Sequence, residues 1–334
     1  LAKTIERAQY SFKKKFKRDR RAIRDANDRL MGDHRGVGIH RADIVIEAIF
    51  EDREVKRKLY ADIEPKMKTG AILATNTSSI RLEDLSDCLN DPGRLVGLHF
   101  FNPVALMPLV EIIHGEQSDE TAVQKALAFG RNIGKLPLGV KSSPGFLVNR
   151  ILMPYIVEAV TMLDEGIPPE VIDRAATDFG MPMGPIELAD AVGLDICKHV
   201  AEILSEALSM ELPANLKSLP KDRLGKKSGQ GFYQYSKGKP IKNKKASWPE
   251  PQLVQDRLIL RMLNEATACL REGIVREKDL IDAGVIFGTG FAPFTGGPLE
   301  YIRNTGIDAL SEKMQRLEDQ FGERFRRDAG WELL

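Results

Sequence analysis

Between residues 42 and 142 short apolar runs alternate with longer stretches of helical spacing. Asp43-Ile44-Val45-Ile46-Glu47-Ala48-Ile49-Phe50 is the first run, and the chain then reads as helix through Ile63. Ala71-Ile72-Leu73-Ala74-Thr75 is the second, and Leu95-Val96-Gly97-Leu98-His99-Phe100 the third. Each is long enough for a strand and too short for a buried helix, so the alternation predicts βαβ units and a parallel sheet. Residues 108–113 and 137–140 predict two further strands around a helix over 120–133. Residues 1–30 are rich in Lys, Arg and Ala without β-branched runs, which predicts one or two solvated helices.

After Ser143-Pro144-Gly145 the strand signal ends, and the helical remainder contains a repeat. Residues 149–167 align with 256–274 at a constant shift of 107 positions (149 to 256), and the apolar stripe keeps its phase. Gly184-Pro185-Ile186-Glu187 is matched again by Gly297-Pro298-Leu299-Glu300. Two copies are too few for a solenoid, so each is expected to bury its stripe against the other. The expected domains are a partial dinucleotide-binding unit over 1–142, a helical domain over 143–235 and a second, duplicated one over 252–334. Residues 236–251, rich in Lys, Pro and Ser with Trp248 isolated, read as a linker.

Composition narrows the function classes. Hydrophobic residues make up 43% and charged residues 29%, ordinary for a globular protein, and the net charge is +1. Such balance argues against nucleic acid as the main partner. The exception is a basic run of Lys13, Lys14, Lys15, Lys17, Arg18, Arg20 and Arg21. Cys88, Cys197 and Cys269 share no short spacing, which fits reduced thiols rather than disulfides or a zinc site. No apolar stretch reaches membrane-spanning length, and no signal peptide or peroxisomal address is evident, so a cytoplasmic location is expected.

A dinucleotide-binding half usually opens with a strand, a G-x-G-x-x-G turn and a helix. Gly36-Val37-Gly38 is the nearest match, but Arg41 stands where the third glycine belongs, and the segment precedes a strand rather than following one. The reading expected here is a chain that starts just after the second strand of such a domain. In the order 3-2-1-4-5-6 that leaves a gap inside the sheet.

Chemistry concentrates after the strands. Asn76-Thr77-Ser78-Ser79 follows a buried run, where an open sheet places its ligand, although such a cluster also caps turns and helices. His99 ends the third run, and a histidine among apolar residues is more often a core residue. Glu111, flanked by Val110 and Ile112, needs a partner if buried, and His99 is a candidate. A His–Glu pair beside a hydroxyl is what alcohol oxidation needs: a base, and a carboxylate that fixes its tautomer and stabilises the imidazolium.

Asn76-Thr77-Ser78-Ser79, His99-Phe100-Phe101-Asn102-Pro103 and Pro144-Gly145-Phe146-Leu147-Val148-Asn149-Arg150 resemble, in order and spacing, three signatures of the L-3-hydroxyacyl-CoA dehydrogenases. Gly184-Pro185-Ile186-Glu187-Leu188 and Gly229-Gln230-Gly231-Phe232-Tyr233 extend the likeness, and Gly288-Thr289-Gly290-Phe291-Ala292-Pro293-Phe294 is similar to the second helical domain of bacterial multifunctional fatty-acid oxidation α-subunits. The resemblance implies a Rossmann-type α/β domain, here without its first strands and glycine loop, and duplicated all-α domains of 6-phosphogluconate-dehydrogenase-like type. It implies oxidation of (S)-3-hydroxyacyl-CoA with NAD. His99 would be the base, Glu111 its support, and Ser78 a contact to the substrate oxygen beside the nicotinamide. Asn149 would bind the acyl-CoA carbonyl region, and Lys15 the CoA phosphates, although Ala8 stands where relatives can carry a serine. Ile49, Phe50, Glu51, Lys56, Asn76 and Asn102 would line or frame NAD. Read alone, Glu51 and Lys56 could equally be an exposed helix-start pair, Asn102 a turn residue, and the basic run a solvated face. The implied partners are an acyl-CoA, with a thiolase subunit or fused hydratase domain in the parent protein. A rival expectation is a non-catalytic, cofactor-deficient assembly module.

Overall fold

A computed structural model describes residues 1–334. The basic N-terminal stretch forms a hairpin of two helices, α1 (Ala2–Phe16) and α2 (Arg20–Asp28). Asp19 caps α2 by accepting from the Ala22 amide at 2.9 Å. Lys13, Lys14 and Lys15 occupy the last turn of α1, where exposed carbonyls favour positive charge.

The next elements are β1 (Ile44–Glu47), α3 (Arg53–Ile63), β2 (Ile72–Thr75), the short α4 (Glu83–Ser86), β3 (Leu95–Phe100), β4 (Leu109–His114), α5 (Glu120–Asn132) and β5 (Leu136–Lys141). They build one sheet in the order β1-β2-β3-β4-β5. β1, β2 and β3 are mutually parallel, but β4 runs antiparallel to β3, and β5 is parallel to β4. The sheet is therefore mixed rather than parallel throughout. The cause is the connection over 101–108, which carries no helix, so the chain reverses as a hairpin does. The sheet has no internal gap; β1 is an edge strand, and residues 1–43 add no strand beside it.

Alternation along the strands sorts side chains between two layers. Ile72, Ala74, Val96, Leu98, Val110 and Ile112 pack with Ala122, Val123 and Ala126 of α5 on one face. Leu73, Leu95, Leu109 and Ile113 join the larger core shared with the helical part. His99 and Glu111 have the parity of Leu95 and Leu109, so they face the helices.

The helical part comprises α6 (Val148–Asp164), α7 (Pro169–Phe179), α8 (Pro185–Val192), α9 (Leu194–Leu208) and the short α10 (Ala214–Lys217). A two-stranded ribbon, β6 (Tyr235–Ser236) and β7 (Lys239–Pro240), follows. The second repeat is α11 (Pro251–Arg271), α12 (Lys278–Thr289), α13 (Pro298–Thr305) and α14 (Ile307–Phe321). The segment 236–251 is no free linker. Lys242 bonds Asp173 at 3.1 Å and Glu187 at 2.7 Å, and Trp248 packs on the core.

The repeats meet along α6 and α11 through reciprocal buried ion pairs. Arg150 of α6 donates to Glu265 at 2.7 Å and to Glu272 at 2.5 Å. Arg257 donates to Glu158 at 2.7 Å and to Glu165 at 2.5 and 2.8 Å. All three correspondences (150 to 257, 158 to 265, 165 to 272) carry the same shift of 107. The halves thus contact each other as a two-fold dimer would, residue i touching j and the copy of j touching the copy of i.

A second shared device is an aspartate capping a later Gly-Pro helix. Asp173 accepts from the Ile186 amide at 2.8 Å, and Asp282 from the Leu299 amide at 2.7 Å. Asp173 also receives Tyr233 and Lys242, whereas Asp282 has only a second amide, Glu300 at 3.2 Å. Burial therefore pushes the Asp282 carboxyl up to about 6. With the folded value above the unfolded 3.8, the native state is favoured at low pH and loses ground as pH rises between about 4 and 6. The stability difference between Asp282→Asn and the unsubstituted protein should change by ~2–3 kcal/mol in favour of the variant from pH 4 to pH 7, read from urea midpoints. A pH-independent difference would contradict this account.

Candidate active site

β3 and β4 place His99 directly opposite Glu111 in their antiparallel register. The His99 Nδ1 lies 2.6 Å from Glu111 Oε2. The other carboxylate oxygen, Oε1, accepts from the amides of Leu147 and Val148, each at 3.0 Å. These amides open α6, so a helix N-terminus faces the buried carboxylate and stabilises its charge. With Glu111 Oε2 as the acceptor, Nδ1 carries the hydrogen and donates, leaving Nε2 with its lone pair free to accept a proton. The rings of Phe101 and Phe146 stand 4.7 and 5.5 Å from the imidazole and exclude water from its flanks.

A second buried network lies at the carboxyl ends of β1 and β2. Glu51 Oε1 accepts from Thr77 Oγ1 at 2.6 Å, the Ser78 amide at 2.8 Å and the Ser79 amide at 3.2 Å. The hydroxyls of Ser78 and Ser79 each lie 3.2 Å from the same oxygen. Burial pushes the Glu51 carboxyl up, but the Thr77 hydroxyl, the Ser78 amide and the Lys56 charge outweigh it and hold it below its usual value. Glu51 thus gathers Thr77, Ser78 and Ser79 onto one carboxylate oxygen.

Lys56 is fully buried, so it is neither an exposed pair nor open to a ligand. Its ammonium lies 2.8 Å from Glu47 and 3.4 Å from Glu51. Glu47, which the sequence reading did not single out, also accepts from Tyr60 and Thr75, each at 2.8 Å. Burial pushes its carboxyl up, and the Lys56 ammonium, the Ile49 amide and the Tyr60 and Thr75 hydroxyls more than reverse that. The cue was available: Glu47 interrupts an apolar run as Glu111 does.

The remaining candidates fall into place around this pair of networks. Asn149 Nδ2 donates to the Ser78 carbonyl at 3.2 Å, tying the start of α6 to the turn after β2. Asn76 Oδ1 accepts from the Phe100 amide at 3.2 Å, linking that turn to the end of β3 beside His99. Ser78, Asn149, Asn76 and His99 therefore share one neighbourhood. Ile49 and Phe50 follow β1 and are 40% and 85% exposed, large apolar surfaces at the sheet end where nucleotides bind. Asn102 is exposed just beyond β3. Lys15 is exposed on α1, its ammonium 5.9 Å from the Phe16 ring, and joins none of the hydrogen bonds of the site.

An apolar bed, two amides and a hydroxyl beside an imidazole fit the ring-and-ribose end of a nicotinamide dinucleotide. No glycine-rich strand-to-helix turn accompanies them in these residues.

Comparison with known proteins points to one family. Residues 1–143 match the NAD binding domain of 3-hydroxyacyl-CoA dehydrogenase, and residues 145–235 and 253–333 match its C-terminal domain. The chain is 44% identical over 310 residues to the fatty acid oxidation complex subunit alpha of Vibrio cholerae, covering 89% of this chain and 44% of that protein. It thus spans less than half the length of that curated relative. The crystal structure of 3-hydroxybutyryl-CoA dehydrogenase from Escherichia coli superposes with a TM-score of 0.85 at 26% identity, covering 99% of this chain and 89% of that one. That of (S)-3-hydroxybutyryl-CoA dehydrogenase from Ralstonia eutropha gives 0.66 at 36% identity, covering 71% of this chain and 86% of that one.

Proposed function

Because the chain belongs to the 3-hydroxyacyl-CoA dehydrogenase family, we propose that it oxidises the 3-hydroxyl of an (S)-3-hydroxyacyl-CoA to the 3-oxo group. The observation that carries this reading is the His99–Glu111 pair, anchored by two helix-start amides. His99 Nε2 accepts the hydroxyl proton. The Glu111 carboxylate balances the imidazolium and holds the ring in place. NAD, when bound, supplies the acceptor for the hydride that leaves C3. Ser78 turns its hydroxyl from Glu51 to the substrate oxygen, a move Glu51 tolerates because it keeps Thr77 and two amides. Asn149, fixed against the Ser78 carbonyl, orients the thioester end. Ile49, Phe50, Glu51, Asn76 and Asn102 would border a bound nicotinamide, and Lys56 would act on it indirectly, by holding Glu51.

The test is nicotinamide reduction by the purified protein with (S)- and (R)-3-hydroxybutyryl-CoA. Reduction with the (S) enantiomer alone supports the reading. Reduction with neither overturns it and leaves the assembly-module alternative. Glu51→Gln keeps the size but loses the charge that gathers the turn. With charge-assisted hydrogen bonds worth ~1.5–3 kcal/mol, kcat/KM should fall by about tenfold or more. An unchanged value would separate Glu51 from the site.

The same reading extends to partners. A 3-hydroxyacyl-CoA is what hydration of an enoyl-CoA yields, and a 3-oxoacyl-CoA is what a thiolase cleaves. A hydratase domain and a thiolase subunit are therefore the proposed neighbours, in keeping with a relative named as a subunit of a fatty acid oxidation complex. No helix is long and apolar enough to cross a membrane, and a cytoplasmic setting belongs to the proposal.

A further inference from the structure

α12 belongs to the second repeat, yet it lies against β4, β5 and the start of α6, three of the elements that frame Glu111. A Cβ added at Gly284 would come within 2.6 Å of Leu138 Cδ2 and 2.8 Å of Leu147 Cδ2. One at Gly288 would come within 2.5 and 2.9 Å of the two Val148 methyls and 3.2 Å of Leu109 Cδ2. At Gly288 the short, branched Val148 side chain has little room to give way, whereas at Gly284 the flexible ends of Leu138 and Leu147 can yield more readily. The neighbours are not arbitrary. Leu147 and Val148 supply the two amides on Glu111 Oε1. Leu138 is the register partner of Glu111 in β5, and Leu109 lies two residues before it on the same face of β4.

The comparison between repeats sharpens the point. The capping aspartates, Asp173 and Asp282, set α7 and α12 in register. In that register Ala175 and Phe179 stand where α12 has Gly284 and Gly288. The glycines therefore mark the helix that touches the site and are not shared by the repeat. Interior glycines weaken a helix, and here the loss coincides with close contact on the carboxylate's support.

We propose that Gly284 and Gly288 are positioning residues: by seating Leu147 and Val148, the second repeat fixes the amides that hold Glu111, and through it the His99 ring. The proposal rests on the reading of His99 and Glu111 as the base pair of the reaction, and its test has a readout that does not.

The purified protein, with isotope-labelled histidine, would be examined for turnover and for the His99 Nδ1–H resonance, assigned by its loss in His99→Gln. Gly288→Ala should lower kcat by about tenfold, as sub-ångström misplacement does, with KM within about twofold, and should shift that resonance. Gly288→Ala with Val148→Ala, which removes the methyls in the way, should recover both. Gly184→Ala, whose Cβ would meet Asp173 at 2.3 Å, is the control for crowding remote from Glu111 and should leave the resonance in place. An unshifted resonance in Gly288→Ala, or an equal shift in Gly184→Ala, overturns the proposal. A shifted resonance with full turnover supports the positioning and overturns instead the catalytic reading of the pair. If Gly288→Ala alone does not fold, Val148→Ala against the double variant decides. A double variant no closer to the original resonance than Val148→Ala overturns the proposal.

Discussion

His99→Gln is expected to lower kcat by about two to four orders of magnitude, the span attributed to a general base, while the NAD dissociation constant changes by less than about twofold. Glutamine occupies similar space and its amide can still reach toward Glu111, so the fold and the cofactor bed should persist. What it lacks is a lone pair that can accept and hold the hydroxyl proton. The split between kcat and NAD affinity makes the result diagnostic. A buried core histidine would instead show loss of stability with turnover per folded molecule preserved. Steady-state kinetics with an (S)-3-hydroxyacyl-CoA, together with calorimetric titration of NAD, reads both quantities. Turnover within about threefold of the original would remove His99 from the reaction.

The second large effect concerns stability. Arg257→Met should destabilise the protein by ~3–5 kcal/mol, because it leaves Glu158 buried with its main partner gone. Glu158 is 1% exposed, and only the Arg324 Nε at 2.9 Å would remain on it. The Arg257 guanidinium also stacks 4.0 Å from the Phe321 ring, a contact methionine only partly replaces. Arg150→Met should cost less, since the Glu265 and Glu272 side chains are 15% and 33% exposed and can recover water. Denaturant midpoints at constant m-value read both changes. Equal costs, or an Arg257→Met change below about 1 kcal/mol, would contradict the picture of a repeat interface held by unequal buried ion pairs.

Much of this was legible in the residues, for physical reasons. Strands buried on both faces write themselves as apolar runs, and β2, β3 and β4 fall where those runs lie. Glu111 was conspicuous because a carboxylate among branched apolar residues needs a partner, and β3 supplies His99. The repeat was visible because both copies keep one helical phase. The direction of β4 was not, because strand texture does not encode polarity; only the helix-free connection over 101–108 hinted at a reversal. The burial of Lys56 was not legible, because a lysine near a helix start is usually solvated and nothing local shows that its stem points inward between Glu47 and Glu51. Gly284 and Gly288 carried no signal either. A glycine inside a helix reads as a tolerated weakness until the neighbours of its missing Cβ are known.

The central claim is that His99 and Glu111 act as one unit, and a double-mutant cycle on turnover tests it most directly. Glu111→Gln can still accept from the Leu147 and Val148 amides through its oxygen. It then presents an NH2 donor to Nδ1, which drives the hydrogen to Nε2 and blocks the base. Each single variant should therefore lose most of the activity, and the double variant should be no slower than His99→Gln within about threefold. Losses that multiply in the double variant would show two independent roles and contradict the account.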